Sequence, residues 1–308
     1  MTITFTSGIS FSGGFTFTPP PPPPENTAAW FGGGYGSAGG STVNRITYAT
    51  DTATASVRGP FSLNRNTLAA AGNTTDGWFG GGGPGVISTV DRITYATDTA
   101  TASVRGPLSS ARYGLAATGN TTDGWFGSGG NNGFKSTVDR ITYATDSATA
   151  SVRGPLSLAR AYLAAVGNTT DGWFGGGSSP VSTVDRITYA TDSATASVRG
   201  PLSSARTRLA AAGNFTDGWF GGGYVLSSVN RITYATDTAT ASVRGPLSSA
   251  RYSLAAAGNT TDGWFVGGGP GPFSTVDRIT YATDTATASV RGPLSGGKSL
   301  TAAAGGIQ

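Results

Sequence analysis

A segment of about 26 residues recurs six times in this chain, and it constrains the fold more than any other feature. One copy reads STVDRITYATDTATASVRGPLSSARY over residues 88–113, and near-copies begin at Ser41, Ser136, Ser182, Ser227 and Ser274. One tryptophan accompanies each copy, and successive tryptophans are 48, 47, 48, 46 and 45 residues apart. A period of this length indicates a repeat architecture in which each unit stacks against the next.

Four strand-like runs lie within each period. They are DGWFGGG, VDRITYAT, TASVRG and an alanine-rich run such as residues 254–258. β-Branched and aromatic residues are enriched in these runs, and Gly, Pro, Asn and Asp separate them. Four strands in such a period are typical of one blade of a β-propeller. The sequence therefore predicts an all-β, six-bladed β-propeller of four-stranded blades, with 24 strands.

The two ends of the repeat region complement each other. The last copy ends in SLTAAAGGIQ with no DGWFGGG after it, and the missing strand lies at the other end, in ENTAAWFGGG over residues 25–34. We expect this N-terminal WFGGG strand to complete the last blade and close the ring. Closure would remove the exposed sheet edges that otherwise lead to aggregation.

Two resemblances follow from these repeats. An apolar strand ending in a glycine doublet, then a V-x-R-I-x-Y strand and a loop with proline and arginine, resembles the kelch repeat over residues 26–308. The chain departs from that family by placing tryptophan before the glycines and by lacking the usual third-strand tryptophan. The GWFGGG…STVDRI unit is also similar to repeats encoded by marine tailed bacteriophages. The first resemblance implies a β-propeller, and the second implies a phage protein.

Residues 1–25 differ from the repeats. Residues 1–18 alternate apolar and polar side chains, which predicts a short β-rich anchor with one apolar face. Its apolar side chains are Ile3, Phe5, Ile9, Phe11, Phe15 and Phe17. We expect residues 19–25 to form a polyproline linker about 20 Å long, at roughly 3 Å per residue. We expect the anchor to add strands to a partner's sheet or to other copies of this chain. A segment folded back on the propeller and a disordered tail are the alternatives.

The composition excludes most catalytic chemistry. The chain has no Cys and no His, its only Glu is Glu25, and every Asp occupies a position that recurs in other repeats. An active site needs distinguished residues, so we expect no enzyme, no cofactor and no metal. No run of 18 apolar residues is present, and the N-terminus lacks a basic segment, so we expect neither a membrane insertion nor a secretory signal peptide.

The charged residues also follow the repeat. Of the 18 arginines, all but Arg208 fall at three repeated positions, typified by Arg92, Arg105 and Arg112. The 15 aspartates occupy three more, so both signs are interleaved and no basic stripe for nucleic acid exists. We expect these ions to pair within or between blades, with a ring of calcium sites at the Asp98-type turn as the alternative. The NTT motifs are interpreted as turns rather than glycosylation acceptors.

Comparing the repeats with one another separates two faces. The loops between the second and third runs and between the fourth and first runs are nearly uniform, whereas the other two loop types vary. Up-and-down strands place the variable loops on one face, and loops on a rigid scaffold commonly carry binding. Drift in unconstrained loops is the alternative. The candidate binding residues are Tyr35, Tyr113, Phe134, Lys135, Tyr162, Arg208, Tyr224, Tyr252 and Phe273.

Together these features favour a non-enzymatic virion protein of a tailed phage, assembled in the host cytoplasm. Residues 1–24 would dock on other capsid or tail proteins or on further copies of the chain. The propeller would decorate the particle or contact the host surface, where a cell-surface glycan is a possible partner. A glycan-binding, lectin-like propeller and a cellular protein–protein interaction scaffold are the alternatives. A designed repeat protein is disfavoured because its loops would be uniform.

Overall fold

The computed structural model describes residues 26–37 and 39–305 of the 308-residue chain. The predicted anchor and polyproline linker lie outside the described residues. The described part folds into six four-stranded antiparallel sheets arranged as the blades of a β-propeller, which confirms the predicted fold class. One further ribbon has two strands, β2 (Tyr35–Gly36) and β25 (Lys298–Ser299).

The alanine-rich runs form the innermost strand of each blade. These strands are β5 (Ala69–Gly72), β9 (Ala116–Gly119), β13 (Ala164–Gly167), β17 (Ala210–Gly213), β21 (Ala255–Gly258) and β26 (Ala302–Ala304). Each contacts the corresponding strand of the next blade, and together they line a narrow axial channel. Small side chains are required here because six strands converge on one axis. The cavities along the channel, of about 60 to 90 Å³, have room for only a few water molecules.

The tryptophan runs form the second strand and the VDRIT or VNRIT runs the third. The second strands are β1 (Ala28–Gly32), β6 (Asp76–Gly80), β10 (Asp123–Gly127), β14 (Asp171–Gly175), β18 (Asp217–Gly221) and β22 (Asp262–Val266). The third strands are β3 (Val43–Thr47), β7 (Val90–Thr94), β11 (Val138–Thr142), β15 (Val184–Thr188), β19 (Val229–Thr233) and β23 (Val276–Thr280). Both types lie between neighbouring strands, and their large apolar side chains are buried.

The outermost strands are only three residues long. They are β4 (Ser56–Arg58), β8 (Ser103–Arg105), β12 (Ser151–Arg153), β16 (Ser197–Arg199), β20 (Ser242–Arg244) and β24 (Ser289–Arg291). A single 3₁₀ turn follows each third strand, at Tyr48–Thr50, Tyr95–Thr97, Tyr143–Thr145, Tyr189–Thr191, Tyr234–Thr236 and Tyr281–Thr283. The shortness of the outer strands limits the sheet edge that each blade exposes.

Each blade is linked to the next by one repeated side-chain cluster. Trp78 stacks on Tyr143 of the following blade, with ring centroids 3.8 Å apart. The indole N–H of Trp78 donates to Asp146 Oδ2 at 2.8 Å, and Arg92 and Arg105 approach the same oxygen at 3.1 and 3.4 Å. The cluster recurs at all six blade junctions, including the one between β22 and the turn after β3. The predicted pairing of the repeated ions is therefore confirmed at these positions, and it acts between blades.

A second repeated ion pair is fully buried beside the third strand. Arg112 donates to Asp139 Oδ2 at 2.6 Å, and neither side chain is exposed. Two blades depart from this pattern because their third strand carries Asn instead of Asp. In the blade that contains Asn230, Arg206 donates to the carbonyls of Gly222 and Ser228. In the blade that contains Asn44, Lys298 takes the place of the arginine.

The blade that joins the two ends contains strands from both. Its order is β26-β1-β3-β4, with Trp30 opposite Ala304 and Gly32 opposite Ala302. The sequence predicts one N-terminal strand completing a C-terminal blade. The structure instead contains one C-terminal strand completing a blade of three N-terminal strands. The difference arises because the alanine run begins each blade rather than ending it. The ribbon of β2 and β25 adds a second pairing between the two ends.

Candidate functional site

The uniform face is made of structural turns. In the loop before β6, the Asn73 side-chain oxygen accepts from the backbone N–H groups of Thr75 and Asp76, both at 2.9 Å. Asp76 in turn accepts from the Thr94 hydroxyl at 2.5 Å. These bonds recur at Asn120, Asn168, Asn214 and Asn259. The geometry supports the interpretation of these asparagines as turn residues.

The carboxylates near this face suit cations of the protein itself rather than a bound metal. Asp98 Oδ2 accepts from Trp30 and lies 3.1 Å from Arg45 and 3.5 Å from Arg58. Two guanidinium groups at this carboxylate oxygen would repel a calcium ion. Among residues 26–37 and 39–305, no three acidic side chains come together in a way that could hold a metal ion.

The variable face is organised around a closed ring of backbone hydrogen bonds. One residue from each loop that precedes an innermost strand donates its N–H to the carbonyl of the equivalent residue in the preceding blade, at 2.6 to 2.9 Å. These six residues are Thr67, Gly114, Tyr162, Arg208, Ser253 and Leu300. All have positive φ, between 53° and 65°, a conformation that favours glycine. The ring surrounds the axis at the mouth of the channel.

Five of the predicted residues meet around half of this ring. The Tyr113 and Tyr162 ring centroids are 6.1 Å apart, and the Arg208 guanidinium lies 4.8 Å from the Tyr162 centroid. The same guanidinium is 5.8 Å from the Tyr252 centroid, and Tyr252 lies 5.5 Å from Tyr224. We call this continuous set of four tyrosines and one arginine the axial cluster. It spans loops of neighbouring blades, so only the assembled propeller brings it together.

The other four predicted residues lie around the axial cluster or apart from it. Tyr113 and Phe134 both lie beside Gly130, since a Cβ added to that glycine would be 3.6 Å from Tyr113 and 3.7 Å from Phe134. Phe134 therefore extends the cluster at one end. Lys135 follows it and is exposed. Tyr35, at 68% exposure, and Phe273, at 38%, lie in the sector where the two ends of the repeat region meet.

Arg208 differs from the other arginines in its surroundings. Sixteen arginines lie within 4 Å of an aspartate, and Arg206 donates to carbonyl and hydroxyl oxygens. Within the described parts of the chain, the Arg208 guanidinium has no carboxylate partner and makes no hydrogen bond. Its contacts are the faces of Tyr162 and Tyr252. An arginine stacked on aromatic rings keeps its N–H donors free at the edge.

Tyr162 of the cluster keeps its hydroxyl proton at neutral pH. Burial raises the pKa of Tyr162, the neighbouring Tyr113 adds to the rise, and Arg208 opposes it. The hydroxyl groups can therefore donate or accept hydrogen bonds, while the rings provide apolar surface. The cluster presents flat apolar faces, neutral hydroxyls and one guanidinium within a single surface.

The sequence identified the members of this site but missed their arrangement. The hydrogen-bonded ring was not predicted, nor was the position of Arg208 between two tyrosines. A signal exists, because aligning the repeats on the SAR arginine places Thr67, Gly114, Tyr162, Arg208, Ser253 and Leu300 in one column. The variation in that column, beside an unchanging alanine run, marks the axis of the variable face.

No protein-family model matches the chain, and neither does any curated protein. The helices in the described ranges are single turns, too short to cross a membrane. The six-bladed fold, with one uniform face and one variable face, defines the class of the protein as a β-propeller suited to binding.

Proposed function

We propose that this chain is a non-enzymatic binding and display protein whose variable face contacts the ligand. The observation that carries the proposal is the arrangement of the chain ends. Asn26 donates to the Asn73 carbonyl at 3.1 Å, which places the start of the described chain against a loop of the uniform face. Gly305 follows the innermost strand β26 and lies beside Ala28 at the same face. The bond between residue 25 and Asn26 therefore lies on the face of the propeller opposite the axial cluster.

The contacts of the carboxylates support a non-catalytic role. Each of the 15 aspartates accepts from an arginine, a tryptophan, a threonine or a serine. In the described residues, no aspartate faces the axial cluster, so that surface offers no carboxyl group as a general acid or base. The tyrosines and Arg208 suit recognition instead.

The proposed biological setting is a tailed-phage virion. Residues 1–24 would dock on a capsid or tail protein, or on further copies of the chain, and the propeller would decorate the particle or contact the host. The support is the resemblance of the GWFGGG…STVDRI repeats to phage-encoded repeats, together with a display face opposite the attachment point. Assembly in the host cytoplasm would place the finished protein in the virion.

A truncation tests the docking part of this proposal. The full chain and a version starting at Glu25 would be compared by light scattering and by binding to purified tailed-phage particles or capsids. We expect only the full chain to bind or assemble, because the propeller is the displayed part. If both versions remain monomers that bind no particle, the virion proposal fails and a cellular scaffold becomes the better hypothesis.

Glycan binding is the second candidate function, and the axial cluster favours it. Tyrosine rings offer flat surfaces to the apolar faces of sugar rings, and their hydroxyls remain available to sugar hydroxyls. This activity is compatible with a virion protein and with a free lectin-like protein. It depends on the variable face alone and is therefore separable from docking through residues 1–24.

A further inference from the structure

The axial cluster has a charge that the rest of the variable face does not balance. The aspartates fall into three repeated sets, typified by Asp76, Asp91 and Asp98. Asp76 and Asp98 lie in the turns of the uniform face, and Asp91 is fully buried against Arg65. In the ranges that the structure describes, the variable face thus carries no exposed carboxylate, and its exposed or half-buried cations without an aspartate partner are Lys135 and Arg208.

The chain holds Arg208 and Tyr162 in this place against the local backbone preference. Their φ values are 59° and 57°, whereas Gly114 occupies the equivalent position of another blade with a φ of 65°. Residues other than glycine are strained in this conformation. Since glycine serves the same hydrogen-bonded ring at no such cost, the ring does not itself require a tyrosine or an arginine. Thr67, Ser253 and Leu300 have the same conformation outside the cluster, so the strain belongs to the whole ring at the mouth of the channel.

We propose that the axial cluster binds a carboxylated sugar, of the uronic or sialic acid class, at the end of or within an oligosaccharide. This inference rests on the proposed binding role and names its ligand class. The free N–H edge of Arg208 would form two parallel hydrogen bonds with the sugar carboxylate. The rings of Tyr162 and Tyr252, which already flank the guanidinium, would contact the apolar faces of adjacent sugar rings.

The ratio of tyrosine rings to cations in the axial cluster favours a saccharide over an acidic peptide. Four tyrosine rings accompany one guanidinium in the cluster. A run of acidic side chains would be matched by several unpaired cations, whereas a saccharide with a carboxylate on one ring needs a single arginine and several flat surfaces. The channel below is too narrow for a sugar, with a cavity of about 60 Å³ at its mouth, so the ligand would lie on the face.

The test measures the preference of the full chain for a carboxylate. Oligosaccharides bearing galacturonate, glucuronate or sialate would each be titrated by calorimetry beside a neutral counterpart whose carboxylates are reduced to alcohols. We expect at least one acidic member to bind at least tenfold more tightly than its neutral counterpart, because a charge-assisted bidentate pair is lost in the latter. Equal affinity within every pair, or equal affinity for oligoglutamate, would overturn the proposal.

Matched variants assign the preference to Arg208. Arg208→Ser introduces the residue that the next blade carries at Ser253 with the same φ of 59°, so we expect an unchanged melting temperature. We expect this variant to lose the preference for the acid, and Arg208→Lys to regain only part of it. The control is Leu300→Ser, which introduces the same residue at a ring position outside the cluster, and we expect its affinity to stay within twofold of wild type. A preference that survives in Arg208→Ser contradicts the assignment. None of these results depends on residues 1–24, so failure here leaves the docking proposal standing.

Discussion

At the scale of single residues, the repeat tolerates buried cations that have no carboxylate partner. Arg206 is fully buried, and its guanidinium donates to the carbonyls of Gly222 and Ser228 at 3.1 and 3.0 Å. Burial lowers the pKa of Arg206 to about 10, and no aspartate offsets that effect. The equivalent Arg112 keeps Asp139 at 2.6 Å. Because residue 230 is Asn where most blades have Asp, the buried charge of Arg206 is compensated by neutral groups alone.

Restoring the carboxylate should stabilise the protein. We expect Asn230→Asp to raise the free energy of unfolding by about 1.5–3 kcal/mol, because hydrogen bonds to a charged group contribute about that much. Urea denaturation at pH 7 measures the change. The reverse exchange in another blade, Asp139→Asn, should lower the free energy of unfolding by a similar amount beside Arg112. A lower stability for Asn230→Asp would contradict this account.

The lowered pKa of Lys298 predicts that the free energy of unfolding rises with pH. Its amino group is buried, donates to Thr42 O at 2.6 Å, and has its pKa lowered by burial from 10.5 to about 8. Above pH 8 the unfolded chain binds this proton more tightly than the folded chain, so the free energy of unfolding rises with pH. We expect that rise from pH 8 to about 9.5 in urea denaturation, and its absence in Lys298→Met.

The upper limit of this pH window comes from the tyrosines between the blades. Burial raises the pKa of Tyr95, Tyr143 and Tyr234 well above 10. The unfolded chain then loses these protons before the folded chain does, and stability falls as the pH rises above about 10. A wild type whose stability is constant from pH 8 to 9.5 would contradict the role assigned to Lys298.

At the scale of elements, the cluster between blades is the unit of assembly. Asp146 receives the indole N–H of Trp78 and two arginines of the preceding blade, and its backbone carbonyl accepts from Gly106 at 2.8 Å. One residue thus connects the second, third and outermost strands of one blade to a turn of the next. Because the contact is repeated six times, each blade both provides and receives the same connection.

Removing this carboxylate should separate two blades. We expect Asp146→Ala to lower the free energy of unfolding by about 3 kcal/mol, because it leaves a buried indole N–H without its acceptor and removes the carboxylate beside Arg92 and Arg105. Asp146→Asn keeps an acceptor for Trp78 but removes the charge, so its loss should be smaller. Urea denaturation followed by tryptophan fluorescence gives both values. Equal stability of the alanine variant and wild type would show that stacking on Tyr143 alone connects the blades.

The elements also show how far the sequence can predict this fold. The tryptophan period predicts the blade number and the strand types, and the alternation of uniform and variable loops predicts the two faces. The partner of Trp78 could not be predicted, because every repeat offers an identical aspartate. Asp98 lies in the same blade as Trp78, yet the bond goes to Asp146 in the next one. Periodicity hides the difference between contacts within a blade and contacts between blades.

The candidate site was predictable only as a set of residues. Tyr113, Tyr162, Arg208, Tyr224 and Tyr252 stand out because they break the repeat. Their contacts depend on a left-handed backbone at Tyr162 and Arg208, which sequence patterns do not indicate for residues other than glycine and asparagine. The predicted closure likewise had the right strands, β1 and β26, but placed the blade boundary one strand away.

At the scale of the whole molecule, stability depends on the junction of the two ends. The innermost strand of one blade comes from residues 302–304, and it also contacts β5 and β21 in the neighbouring blades. Without that strand, β1 would expose an unpaired edge toward the axis, and two neighbouring strands would lose their packing partner. An open ring with a free edge is a site for association with other chains.

A C-terminal deletion tests this dependence. We expect removal of residues 302–308 to lower the melting temperature by 10 °C or more and to increase the mass measured by light scattering, since ΔΔG of several kcal/mol shifts the melting temperature of a domain this size by roughly 2–4 °C per kcal/mol. Removal of residues 306–308 alone is the control and should have little effect. A deletion lacking 302–308 that stays monomeric and equally stable would show that five complete blades suffice.

The ring of six backbone hydrogen bonds has a consequence for how such a protein can change. Only main-chain atoms take part in it, so the same geometry accepts threonine, glycine, tyrosine, arginine, serine and leucine. Neighbouring blades place these six positions side by side, although they lie 45 to 48 residues apart along the chain and 233 apart between the two ends. Point mutations at this mouth can therefore be combined freely, and new ligand specificities can evolve while the scaffold beneath them stays the same.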